Sequence, residues 1–427
     1  MAKRKKKRRY KFKNIFLLIL FIVIIIKLIL MIPIDNKKNV VKKENINKKP
    51  YLNNIKKDKE FYGTVDKDIE KLVINYMDKY FKSMTTLKEV DMKNLFSSDS
   101  YEEYYINKTA ISTLIEIRKL ERNDMKISKA SYDIIYKKIE KQDDKITLTF
   151  LENDYLHFNF MKNIESKVYG IENTITVKKI NGSYKILSYR KIQDYYIMIT
   201  EKYKIGKNKK DVIKELDDIK EKHTEDYKKQ LKIIKSQKKK FEQGKNKPIK
   251  KCDHSYNRKK ALDYAKKYVV DRNPKWDRYD GVGGNCQNFA SQTLYNGGIP
   301  MDIYGDAESQ WKHYGSEINE KNSRVGRSSS WTTAPYFYKY AKNNKGFGLC
   351  SLVDINPFYA EPGDIGQVGF DEYYRHSVII IGYIKDKNNK ITDLLINSNS
   401  TNLENYPLSG YVYPYKRIIK IFGWNDN

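Results

Sequence analysis

Residues 15–34 (IFLLILFIVIIIKLILMIPI) contain 18 apolar side chains, one lysine and one proline. At a helical rise of about 1.5 Å per residue, such a run spans roughly 30 Å, the thickness of a bilayer's hydrocarbon core. Lys27 costs about 3 kcal/mol on insertion scales, and the apolar residues, at roughly −0.3 to −0.6 kcal/mol each, outweigh it. Residues 1–14 hold nine Lys or Arg and no acid, a flank that stays cytoplasmic. The expectation is a single-pass transmembrane helix in the cell membrane, with everything after residue 35 extracellular. A cleaved signal peptide is the weaker reading, because the run is long and no small-x-small cleavage site follows it. Residues 35–60 are lysine-rich and read as a polar spacer.

The rest of the charge is uneven. The chain of 427 residues carries a net charge of +30, of which residues 1–60 hold +15, 204–249 hold +8, 250–427 hold +5 and 61–203 only +2. A nucleic-acid binder needs a basic face on a folded domain, and both candidate domains are nearly neutral, so nucleic acid is not expected as a partner. Three cysteines, none in a Cys-x-x-Cys pair, and five scattered histidines give no pattern for structural zinc. Neither a metal nor an organic cofactor is expected.

Residues 61–203 start with helical spacing at Ile69, Leu72, Val73, Tyr76, Met77, Tyr80 and Phe81, and a second helix is expected near 101–121. The period then drops to two around a turn at Gln142, and Asn181-Gly182 is a two-residue hairpin signal. Helices followed by an antiparallel meander predict an α+β domain whose element order resembles nuclear-transport-factor-like domains. Its expected role is scaffold or spacer, with a ligand-binding cone as the functional alternative. Residues 208–243, inside a linker over 204–249, read as one long helix. Its stripe of Val212, Leu216, Ile219, His223, Tyr227, Leu231 and Ile234 suits either a homodimer seam or packing on a neighbouring domain.

The chemistry is expected in residues 250–427. A glycine-rich loop ends at Asn285, a residue type that caps helices, and apolar spacing from Cys286 through Phe289, Ala290 and Leu294 runs to Gly297-Gly298. Cys286 would then sit at a helix N-terminus, where unpaired N–H groups favour thiolate and can stabilise an oxyanion. Cys252 and Cys350 lack that context and read as core or surface residues, or as a mutual disulfide. A thiolate needs a base: His376, which opens an apolar strand, is the candidate, with His313 and His254 as rivals in polar segments that offer no rigid element to hold them. On the next strand Asn397 and Asn399 share a face, and either could fix the imidazole tautomer as the third member of a Cys-His-Asn set. Trp311, Trp331 and Tyr279 are candidate substrate-cleft residues.

Residues 255–427 resemble the putative amidase domain family of papain-like cysteine hydrolases, found in Gram-positive cell-surface proteins. The matching pieces are GGNCQNFASQ at 283–292, NGGIPM at 296–301, SWT at 330–332, GD at 363–364, HSV at 376–378 and NYPLS at 405–409. The resemblance implies a papain-like α+β fold, with Cys286 as nucleophile and His376 as base. The family typically has Asp where this chain has Asn285, and often His where it has Asn399. Asp280 stands where papain has an oxyanion glutamine. The expected function is a membrane-anchored extracellular cysteine amidase or peptidase acting on cell-wall peptides such as those of peptidoglycan. The alternatives are an inactive binding or scaffolding protein with the same fold, and a transpeptidase or processing protease using the same dyad.

Overall fold

The computed structural model describes residues 51–206, 208–281, 284–306, 309–315, 326–370, 372–400 and 402–426. The meander forms where the period of two predicts it. The opening segment is strand β1 (Leu52–Lys57), helices α1 (Lys67–Thr86) and α2 (Tyr101–Leu120), then strands β2 (Ile127–Gln142), β3 (Lys145–Phe158), β4 (Ser166–Ile180) and β5 (Ser183–Lys191). Asn181 and Gly182 turn the last hairpin at φ of 46° and 81°, the left-handed conformation a two-residue turn of this type requires. Part of the expected spacer is folded: β1 pairs in parallel with β2, and Tyr51 stacks on Phe81.

Helices α3 (Asp194–Thr200) and α4 (Lys209–Glu242) follow. The apolar stripe of α4 is buried within the same chain. Val212, Leu216, His223, Tyr227 and Leu231 are covered; His223 Nε2 lies 2.9 Å from the Val412 carbonyl, and Tyr227 donates to Glu121 at 2.5 Å. The chain continues through β6 (His254–Ser255), α5 (Arg258–Lys267), α6 (Cys286–Asn296), α7 (Ser329–Thr332), α8 (Ala334–Asn343), β7 (Gly348–Val353), β8 (Ile365–Phe370), β9 (Tyr373–Lys385), β10 (Ile391–Ser398), β11 (Asn402–Pro407) and β12 (Tyr415–Asn425). Cys252 and Cys350, 98 residues apart, form a disulfide.

All twelve described strands belong to one mixed sheet, in the order β1-β2-β3-β4-β11-β10-β9-β8-β12-β6, with β5 on β4 and β7 on β12. The join is β4 against β11, with Asn402 opposite Tyr169, Leu403 opposite Val168 and Glu404 opposite Lys167. One apolar cluster runs across it, from Tyr76, Phe81 and Phe150 to Val378, Ile380, Ile396 and Leu403. A second lies under α5, α6 and α8 and takes Ile365, Ile379, Ile419 and Ile421 from the opposite sheet face. The two regions read separately from sequence therefore share a sheet and a core.

The transmembrane expectation is corrected here. No helix among the described residues is long and apolar enough to cross a membrane, and residues 15–34 lie outside them. The longest helix, α4, has the length but not the character, because Lys and Glu crowd every face except the buried stripe. The fold is α+β with a large mixed sheet.

Candidate active site

Gly284 enters α6 at a φ of +95°, a conformation an L side chain rarely adopts, and a Cβ there would stand 3.4 Å from Ser400 Oγ. The next residue, Asn285, takes the N-cap position, but its side chain makes no capping bond. Instead its amide donates to Asn399 Oδ1 at 2.8 Å, while its Oδ1 accepts from Asn288 Nδ2 at 2.8 Å and from the Tyr279 amide at 3.3 Å. Ser400 Oγ accepts the Asn285 backbone N–H. With the cap turned away, the first amides of α6 remain for the residue they surround.

That residue is Cys286, the one free cysteine, buried at 5% exposure. Its thiol is flanked by the N–H groups of Cys286 and Gln287 from the helix and of Ser377 from β9. Burial pushes the thiol above its ordinary range, and these three donors only partly offset it. The expected thiolate is corrected accordingly: with the site closed, desolvation outweighs the helix end.

Ser377 follows His376, so the strand that carries the imidazole also hydrogen-bonds the sulfur. The β9–β10 ladder stops at Asn397 opposite Ile379, two residues short of Ser377. Alignment of α6 on β9 comes from a buried chain of amides and hydroxyls: Gln367 Nε2 donates to Ser377 Oγ at 3.2 Å, Ser377 Oγ to Gln287 Oε1 at 2.6 Å, and Gln287 Nε2 to Ser291 Oγ at 3.1 Å.

His376 is 9% exposed and burial alone lowers its pKa to about 4, so the ring is neutral at neutral pH. Its Nε2 lies 2.6 Å from Ser398 Oγ, at the end of β10. A ring that donates Nε2–H to that hydroxyl keeps Nδ1 bare as a base. Tyr411 packs against the ring with centroids 5.8 Å apart, and Asp194, from the start of α3, is near enough for its charge to act on Cys286, Tyr411 and Tyr413.

Asn399 does not hydrogen-bond the imidazole. Its Oδ1 accepts from Asn285, and its Nδ2 donates to the Tyr268 and Val269 carbonyls, at 3.1 and 3.3 Å. Asn397 donates to the Ala265 carbonyl and accepts from the Asn405 amide. Strand alternation accounts for both: residues 397 and 399 face α5, so Ser398, between them, faces the other side with His376. Asn285 and Asn399, the two departures from the amidase pattern, are thus partners of each other.

Trp311 and Trp331 are fully buried and line no cleft. Their indole N–H groups donate to Ser291 Oγ at 3.1 Å and Asn288 Oδ1 at 2.9 Å, which braces α6 from behind. Tyr279 is half-buried beside the start of α6; its hydroxyl lies 2.8 Å from His313 Nε2, and Arg327 stacks 4.5 Å from its ring centroid. Asp280 is engaged by Arg272 at 2.7 Å and offers no oxyanion donor, which leaves the Cys286 and Gln287 amides for that role. Sequence reasoning missed Ser398, Ser377, Tyr411 and Asp194. Only Ser398 had a local signal, the alternation that set 397 and 399 on the wrong face.

Residues 255–423 match a family model described as a putative amidase domain, so this segment is that of an amidase-like hydrolase. The chain is also similar to an uncharacterised protein, YhbB, of Bacillus subtilis, at 33% identity over 136 residues. That match covers 31% of this chain and 39% of the relative's length.

Proposed function

We propose that residues 255–423 catalyse amide hydrolysis through a cysteine mechanism. The observation that carries this reading is the free Cys286 sulfur at the start of α6, held among helix amides and an amide of the strand that bears an imidazole whose Nε2 is already engaged. His376 Nδ1 takes the thiol proton as sulfur attacks the amide carbonyl. The negative charge moves to the carbonyl oxygen, where the Cys286 and Gln287 amides are the available donors. The imidazolium then protonates the leaving amine and the C–N bond breaks; water, deprotonated by the same ring, attacks the thioester, the C–S bond breaks to release the acid, and the ring returns its proton to the Cys286 sulfur. Ser398 keeps the tautomer and the ring plane throughout.

The substrate class is a peptide amide, with cell-wall peptides first among them because the resemblance points to surface hydrolases. The Cys252–Cys350 bond fits a compartment that keeps disulfides oxidised. Burial of both Cys286 and His376 favours the second reading, a papain-like binding module without turnover. Two measurements on the full chain decide between them. Purified peptidoglycan incubated with the chain should yield new amine and carboxyl ends by mass spectrometry, and Cys286→Ala should yield none. Iodoacetamide should label Cys286 faster in the native chain than in His376→Ala. An absence of new ends across several wall chemistries, together with identical labelling rates, defeats the hydrolase.

A further inference from the structure

Arg118, on α2, is 5% exposed, and its hydrogen-bond and ring partners among the described residues are not anionic. Nη1 donates to the Met84 sulfur at 3.1 Å, the guanidinium lies 5.4 Å from the Phe158 ring centroid, and the group bonds the Tyr406 hydroxyl. Its Nε has no hydrogen-bond partner among the described residues. A guanidinium taken out of water without a carboxylate is costly, because its desolvation is not repaid. The nearby buried acid, Asp154, makes no hydrogen bond or ion pair with it among the described residues, and burial and the Glu152 charge raise its carboxyl well above the usual carboxylate range, against the pull of Arg118. Glu152 itself is committed to Lys191 at 2.9 Å.

Arg118 also lines a cavity of about 30 Å³, with Gln193, Asp194, Leu403, Tyr406 and Tyr411 among its walls. That is roughly the room two or three waters occupy, and it suits a group of a few heavy atoms. Gln193 Oε1 is a second buried polar atom without a partner. Turned over, the same amide offers an N–H donor. The cavity lies where the opening α+β segment meets the amidase segment. Tyr411, one of its walls, packs on the His376 ring.

We propose that this cavity binds a carboxylate group, held by Arg118 with Gln193 as its second contact. The site stands apart from the amidase reading; only the idea that the carboxylate is the terminal one of the amide substrate or its product rests on that reading. A free small acid is the other source of the same chemistry. The charged groups at or beside the cavity include Arg118, Asp194, Asp154, Glu152 and Lys191. Asp194 is raised to about 6 by burial, against a hydrogen bond from Tyr413, so it stays largely neutral at pH 5.5 and does not repel an anion there.

The test is calorimetric titration of the full chain carrying Cys286→Ala at pH 5.5, with acetate, with a short peptide as its free acid and with the same peptide as its C-terminal amide. The acid should bind at least ten-fold tighter than the amide, and Arg118→Gln should abolish the difference. Gln193→Glu leaves the Arg118 packing untouched and puts a negative charge at the cavity, so it should do the same in a chain with unchanged circular dichroism. Acetate binding that depends on Arg118, with acid and amide peptides alike, supports the site and assigns it to free small acids. Absence of binding by both acetate and the acid, or an acid preference that survives both substitutions, overturns the proposal. The titration needs no turnover, so an inert Cys286 would end the amidase reading and leave this one standing.

Discussion

His376 shows how one buried ring ties stability to catalysis. In the unfolded chain it titrates near its ordinary 6.5, and in the folded chain near about 4. Between those values the unfolded state binds more protons, so the contribution of this ring to stability is complete above 6.5 and is lost as pH falls toward 4. The difference is on the order of 3 kcal/mol. Urea midpoints of the native chain should therefore fall more steeply between pH 6.5 and 4 than those of His376→Gln, and parallel slopes would refute the assignment. Ser398 acts on the same ring. Ser398→Ala removes one hydrogen bond worth about 1–1.5 kcal/mol and frees the tautomer, so kcat/KM should drop about ten-fold and the acid limb of the pH–rate profile should shift. A change in stability with an unmoved profile would make Ser398 structural only.

At the level of single elements, α6 is positioned by polar contacts as much as by apolar ones. Trp331 Nε1 donates to Asn288 Oδ1, and Asn288 Nδ2 reaches both Asn285 Oδ1 and the Asp277 carbonyl, each within 3.0 Å. Asn285 in turn is tied to Asn399, which anchors the start of α6 to the end of β10. Trp331→Phe preserves the packing but strands a buried amide oxygen, which should cost about 1–3 kcal/mol in chemical denaturation. It should also loosen the Asn285 link and change the Cys286 labelling rate. A loss well under 1 kcal/mol with unchanged labelling would mean that the brace does not matter. The helix itself was legible in the sequence, since the glycine approach, the residue at the cap and the apolar spacing all appear within 281–298. Its brace was not, because a buried tryptophan and a cleft tryptophan have the same sequence signature.

For the whole molecule, the pairing of β4 with β11 governs behaviour. Leu403 lies at that join, and Val378, Ile380 and Ile396 carry the same apolar cluster across the amidase side of the sheet. Residues 250–427 produced alone would bare that face and leave β11 as an open edge. The full chain should unfold in one transition, and the fragment should bind hydrophobic dyes and aggregate. Two separated transitions in the full chain, one per region, would show that the shared core is not cooperative.

Helices α1, α2, α4 and α6 and the β2–β5 meander followed from local pattern, because period, capping residues and turn chemistry act over a few positions, whereas β1 lay in a stretch read as spacer. Cys286 was visible at a helix start, and His376 in an apolar strand run, although the strand begins three residues earlier than expected, at Tyr373. Their environment was not visible. Burial raises the thiol and lowers the imidazole only once the tertiary structure packs around them, with Tyr411 against the ring, and Ser398 takes the ring only because alternation turns Asn399 to the opposite face. Contacts between residues some two hundred positions apart, such as Leu403 with Val168, leave no periodic trace in a single chain. Register across a sheet comes from the fit of two surfaces, and neither strand carries it alone.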